Sequence, residues 1–276
     1  MLNLRPRRIS VGISPGSVVV SATQGVWRRK SQIVAGRTVA PDKLGVLQHL
    51  CDLLAALVAE HGLQGSSARL VLSDALVRLW LVEPPANVGA LSDLKAAASS
   101  RFQSLFGESP STWDIRGDWQ ADRPFVASAL PQVWLQALNG VLQTSRLQAE
   151  AISPHSVVAL NRWSHRMTAG SWLFLYQDRR VTLLILDAQS ALAGLRHVQC
   201  GPQEIADEFS CSQFLRLQAM LMGVPMPPVI YIPDLIMELG WVRYARGAQP
   251  QYRVLQKALP EDGLLSSAAA LALAGA

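Results

Sequence analysis

Only 16% of this 276-residue chain is charged, while half of it is hydrophobic. A disordered or self-repelling polypeptide is therefore excluded, and at this length no covalent staple is needed to hold a core. Cysteine is equally scarce: Cys51, Cys200 and Cys211 are odd in number, far apart and without a C-x-x-C pair. That spacing excludes a secreted disulfide framework and a cysteine zinc site, and it predicts a reducing compartment. No apolar run approaches the roughly 20 residues of a spanning helix. The segment after Arg5, Arg7 and Arg8 is broken by Gly12, Pro15 and Gly16, which argues against an export signal. Neither phosphate-loop pattern, G-x-x-x-x-G-K-[ST] or G-x-G-x-x-G, occurs. The five histidines, His49, His61, His155, His165 and His197, are scattered without ligand spacing, so no metal site is expected.

What charge there is lies unevenly. Through Lys43 eight basic residues face Asp42 alone, a balance of +7, leaving the other 17 basic and 19 acidic residues at −2. Nucleic-acid binding needs a denser basic stripe than this. Arg28-Arg29-Lys30 would add only about 2–3 kcal/mol at an anionic leaflet, too little to hold a membrane unaided.

Periodicity predicts strands over Arg8–Ile13, Ser17–Thr23 and Val26–Val34, then a helix from Pro41 to a cap at Gly62 carrying Leu44, Leu47, Cys51, Leu54 and Val58 on one face. The order returns with strands over Trp172–Tyr176, Val181–Leu186 and Leu192–Val198. A helix from Gly201-Pro202 to Met222 follows, its buried side drawn as Ile205, Phe209, Phe214, Leu217 and Leu221. Between the repeats, Leu70–Ser73, Leu76–Val82, Thr112–Trp119, Phe125–Leu130 and Leu147–Ile152 read as strands, and Leu91–Leu105 and Pro131–Leu142 as helices. After them come a strand over Val229–Ile232, a short helix over Asp234–Leu239 and a terminal helix over Leu264–Leu273. The expectation is an α/β protein of duplicated β-β-β-α units with a small α+β insertion. Residues 1–72 plus 152–170 form the first subdomain, 73–151 the insertion and 171–276 the second subdomain.

Gly12-Ile13-Ser14-Pro15-Gly16 fits the G-x-S-x-G nucleophile elbow, but that chemistry needs a helix after the serine, and Ser17-Val18-Val19-Val20 continues as strand. A hairpin turn is expected instead. Met220, Met222, Met226 and Met237 read as core filling around a helix end, and the tryptophans near the insertion, Trp80 among them, as apolar payload for a small subdomain.

The duplicated units, with Ser73-Asp74-Ala75-Leu76-Val77-Arg78, Phe106-Gly107, Trp113-Asp114-Ile115 and Ile152-Ser153-Pro154 at the borders of the insertion, resemble an actin-like family. It is the family of the type IV pilus assembly protein PilM and the type II secretion GspL cytoplasmic domain, of the ASKHA fold class. By that resemblance the first hairpin should carry an Asp-x-Gly element for metal and phosphate. Here Ser14-Pro15-Gly16 stands there, and Tyr176-Gln177-Asp178-Arg179-Arg180 stands in the second hairpin. The adenosine-side glycines give way to Ile232-Pro233-Asp234. Ser14, Gly16 and Asp178 are therefore degenerate positions expected not to bind nucleotide, and neither ATP nor magnesium is expected as a cofactor.

The resemblance implies a non-enzymatic scaffold, cytoplasmic and peripheral to the inner membrane. Its partner would be the cytoplasmic N-terminal segment of a bitopic membrane protein, with an assembly ATPase as a second contact. With no spanning helix after Ala276, it suits the free-standing PilM arrangement. Arg28, Arg78 and Trp80 are the candidate partner contacts. The alternatives are an actin-like ATP-binding protein or ATPase and a nucleic-acid-binding module.

Overall fold

The structure is a computed structural model that describes residues 8–24, 30–39, 47–233, 237–243, 250–255 and 267–275. The first unit consists of β1 (Arg8–Ser14), β2 (Ser17–Gln24), β3 (Lys30–Thr38), α1 (Leu47–Glu60) and β4 (Ser67–Leu72). The beginning of the expected third strand, 26–29, and the start of the expected first helix, 41–46, lie outside the described residues. The insertion region holds β5 (Arg78–Val82), α2 (Leu91–Phe106), β6 (Trp113–Gly117), β7 (Phe125–Pro131), α3 (Gln132–Thr144), β8 (Gln148–Pro154) and α4 (His155–Trp163). The second unit follows with β9 (Trp172–Gln177), β10 (Arg180–Leu186), β11 (Leu192–Gln199), α5 (Glu208–Met222), β12 (Val229–Ile232), β13 (Gln251–Val254) and α6 (Ser267–Ala274).

Both large sheets have one strand order, β3-β2-β1-β4-β8 in the first lobe and β11-β10-β9-β12-β13 in the second. In each, an antiparallel meander continues into two parallel strands. The duplication expected from the sequence is thus an identity of topology. Alternation explains the layers: Ile9, Val11 and Ile13 of β1 and Val18, Val20 and Ala22 of β2 meet Leu50, Leu54 and Leu57 of α1 in one core. The opposite face of these strands carries Ser10 and Ser21, small enough to admit a close helix.

That helix is α6. Its alanine-rich stretch lies against β1 and β2, and Ser21 Oγ donates to the Ala272 carbonyl at 2.8 Å. A methyl added at Gly275 would come within 2.6 Å of Val71 Cγ2 and closer still to Ser10 Oγ. α6 therefore packs on the first lobe, a contact that the division at 171–276 does not contain. The insertion is also narrower than 73–151. Only β5, β7 and β6, in that order, with α2 make the small third sheet and its core of Trp80, Phe102 and Phe125. β8 pairs with β4 from Ser67 to Leu72, and α3 packs on α1, so both belong to the first lobe.

Two further differences have local causes. The expected continuous helix from Gly201 is a 3-10 turn, Pro202–Ile205, followed by a break at Asp207, whose extended backbone and side chain cap α5 through Ser210 N at 2.8 Å. Of the five residues drawn as its buried side, Ile205 and Phe214 are buried, whereas Phe209, Leu217 and Leu221 are exposed. The Asp234 end of the expected short helix lies outside the described residues, and a 3-10 segment covers Met237–Arg243.

Candidate functional site

Two regions are candidates: the junction of the lobes, where Ser73 links the end of β1 to the β9–β10 turn through Ile13 O and Asp178, and a groove beneath the small sheet. In the first hairpin Ser14 is buried. Its hydroxyl shares a hydrogen bond with Ser17 Oγ at 3.0 Å and accepts one from Gly16 N at 3.3 Å. The turn joins two strands, so the nucleophile-elbow geometry is absent. In the second hairpin Asp178 and Arg179 take left-handed φ values of 51° and 58°, the two-residue turn that Asn-Gly or Asp-Gly would favour. The Asp178 carboxylate accepts a hydrogen bond from Ser73 Oγ at 2.5 Å, across to the start of the insertion.

Beside that bond lies a buried polar network. Asp74 Oδ1 accepts from Ser156 N at 3.1 Å and Ser156 Oγ at 3.0 Å, and its Oδ2 accepts from Thr182 Oγ1 at 2.8 Å. Thr182 has one proton to give, so its other contact, 2.9 Å to His197 Nδ1, places hydrogen on that ring nitrogen. Burial pushes His197 below the usual histidine value. The nearby Asp74 opposes this, while Arg180 and Arg78 reinforce it. A neutral histidine at pH 7 follows. Four elements are tied together: the 3-10 turn after β4, the first turn of α4, β10 and β11.

The groove, about 480 Å³, is floored by Ile152 and Pro154 of β8, Val157 and Leu160 of α4, and Leu186 and Leu192 of the second lobe. Its roof is the face of the small sheet that carries Val126 and Ser128, rimmed by Arg116, Asp118 and Arg123. Arg116 is held by Asp114 at 2.8 Å, whereas Arg123 forms no ion pair among the described residues. β6 is an edge strand of its sheet. An apolar floor with a sparse polar rim is the make-up of a site for an extended segment or small ligand.

Of the partner contacts expected from the sequence, Trp80 is corrected: it is 2% exposed and packs on Phe102 and Phe106, so it is core of the small sheet rather than a contact surface. Arg78 is exposed, pairs with Glu108 at 3.1 Å and lies over the Phe106 and Trp113 rings, outside the groove. Arg28 lies outside the described residues. Two charges of the basic N-terminal segment are matched, Arg8 by Glu150 and Arg37 by Glu60, both at 2.7 Å. Sequence reasoning missed Val157, Leu160, Asp74 and Thr182. A signal existed only for Asp74, an acid just ahead of the apolar run Ala75-Leu76-Val77.

Two lobes of one strand order, joined through a cleft and carrying a small inserted sheet, define the actin-like fold. No family model matches the chain, and no curated protein is similar to it in sequence. Among solved structures it is similar to a Bacteroides thetaiotaomicron protein of actin-like ATPase fold and unknown function, with TM-score 0.62, 8% identity, and 92% of this chain and 94% of that one covered. It is also similar to the cytoplasmic domain of EpsL, an inner-membrane component of the Vibrio cholerae type II secretion system, with TM-score 0.57, 12% identity, and 97% and 94% covered. A PilM-PilN type IV pilus biogenesis complex matches with TM-score 0.62, 12% identity, and 90% and 88% covered. No helix among the described residues is long and apolar enough to cross a membrane.

Proposed function

We propose that the chain is a non-catalytic actin-like scaffold of a type IV pilus or type II secretion-like assembly platform. In this reading it lies peripheral to the inner membrane and holds the cytoplasmic segment of a bitopic membrane protein in the groove. The observation that carries the reading is where the cleft carboxylates point. Asp178 and Asp74 are committed to Ser73, Ser156 and Thr182, whereas an ATPase would turn such groups toward metal and phosphate. No cofactor is proposed. The likeness to the EpsL domain and to the PilM-PilN complex supports the choice of machine, and an assembly ATPase is a second partner in the same reading.

The cleft network also serves the groove. Asp74, at the start of the inserted sheet, is bonded to Ser156 in the first turn of α4, the helix whose next residues make the floor. Roof and floor are therefore fixed relative to each other before a segment arrives, which lowers the ordering cost of binding. An extended segment would set alternate apolar side chains on Val157 and Leu160, while Arg123 and Asp118 read its charges at the rim.

The test is recovery of partners from a membrane fraction with the wild type, Val157→Arg and Leu160→Glu. The wild type should retain a small single-span protein of a pilus or secretion assembly, and both variants should lose it at least tenfold while still folding cooperatively in thermal denaturation. Recovery that both variants retain would move the contact off the groove. Micromolar binding of Mg-ATP by calorimetry would overturn the scaffold reading itself.

A further inference from the structure

A helix lying on a sheet needs one apolar face, yet α5 has two. Cys211, Phe214, Leu215 and Ala219 face the second sheet and are buried. On the opposite side Phe209, Leu217, Met220 and Leu221 are 73%, 52%, 78% and 59% exposed. Phe209, Leu217 and Met220 lie on one side of the helix with the polar Gln213 between them, at steps of four, four and three, so together they form one stripe about 17 Å long at 1.5 Å per residue. Exposed apolar side chains that are contiguous in this way mark an interaction surface.

Charge and shape on the same helix indicate what covers it. Glu208 and Arg216 lie on one flank of the stripe and form no ion pair among the described residues. A shallow hollow of about 320 Å³ opens between Glu208, Phe209, Ser212, Gln213 and Arg216. We infer that α5 pairs antiparallel with α5 of a second copy of this chain, about a two-fold axis through Gln213. That axis sets Leu217 of one copy over the hollow beside Phe209 of the other, and it brings each Arg216 to the flank bearing the other copy's Glu208. Knob, hollow and both charges belong to one helix, as a two-fold interface requires. Opposed helix dipoles add to the fit. A stable pair buries about 800 Å² on each side, so the stripe supplies the apolar centre and its polar flanks the rim.

Helices packed about 8–10 Å apart with Cα atoms at a radius of about 2.3 Å bring residues on the axis to about 5 Å, within disulfide range. Gln213→Cys should therefore cross-link to itself under mild oxidation. The native Cys51, Cys200 and Cys211 are buried and should not. By analytical ultracentrifugation the wild type should dimerise at micromolar concentration. Leu217→Lys should raise the dissociation constant about a hundredfold, because the change occurs twice in the interface. Arg216→Glu should weaken pairing about tenfold, and adding Glu208→Arg should restore most of it. A wild type that stays monomeric at about 100 µM with no Gln213→Cys cross-link overturns the inference. So does a dimer that survives Leu217→Lys. A monomer whose Leu217→Lys variant loses a protein partner assigns the stripe to that partner and overturns self-pairing too.

Discussion

The cleft and the groove lie on either side of the first turn of α4, and they are opposite in character. The cleft is filled with the chain's own polar groups: a carboxylate with three donors, a threonine, a neutral histidine and a second carboxylate reaching Ser73. The groove has an apolar floor and a charged rim open to solvent. Here the polar groups of the cleft act as a brace, and the open surface lies beside it.

Removing the brace should have the largest effect. Asp74→Ala leaves Ser156 N, Ser156 Oγ and Thr182 Oγ1 without their acceptor in a buried site, a cost of about 3 kcal/mol. At about 2–4 °C per kcal/mol for a chain of this size, thermal denaturation should report a melting temperature about 6–12 °C lower. Partner recovery should fall as well, since roof and floor of the groove are no longer tied. An unchanged melting temperature would mean that the network does not join the lobes. Ser156→Ala removes one of these hydrogen bonds but leaves the backbone N–H in place, so its cost should be about 1 kcal/mol.

Acid should separate the two regions more finely. His197 is held below the ordinary histidine value in the folded protein, so below pH 6.5 the unfolded chain binds the proton more readily than the native one. Stability is therefore full near pH 7 and falls as pH drops from 6.5 toward the depressed folded value. His197→Asn keeps an N–H for Thr182 and should flatten that part of the pH profile of urea unfolding; a slope that persists would place the responsible group elsewhere. No histidine lines the groove, so partner affinity should change little between pH 7 and 6.

Much of this architecture is legible in the sequence because it is written in alternation. β1 alternates apolar and small residues, while β2, β9 and β10 carry apolar runs; all are bounded by turn residues, and their repetition announces the duplication. β13 is not legible, since Gln251–Val254 is a four-residue edge strand that buries little. α5 misleads differently. Its pattern reads as amphipathic whichever apolar face is taken as inner, so Phe209, Leu217 and Leu221 read as part of a core they do not enter. The missing acid and glycines of the cleft can be read residue by residue. The groove cannot, because its walls come from three segments far apart in the chain, 116–128, 152–164 and 186–192.

The smallest expected effect has the opposite sign. Arg179 holds a left-handed φ of 58° in the β9–β10 turn, and its side chain is exposed. Glycine takes that conformation without the roughly 1 kcal/mol or more that a β-carbon adds, and Asp-Gly is a favoured pair for such a turn. Arg179→Gly should therefore stabilise the protein by about 0.5–1 kcal/mol, read as a higher urea midpoint. It also returns a glycine to the hairpin where an actin-like ATPase would want one. If bulk at this turn is all that keeps Mg-ATP out of the cleft, affinity should rise in the variant. Because Asp178 is bound to Ser73 and the first hairpin has Ser14, the proposed scaffold reading expects a more stable protein without Mg-ATP affinity. Micromolar binding by this variant would show that the cleft is sealed by a single side chain and not by the network.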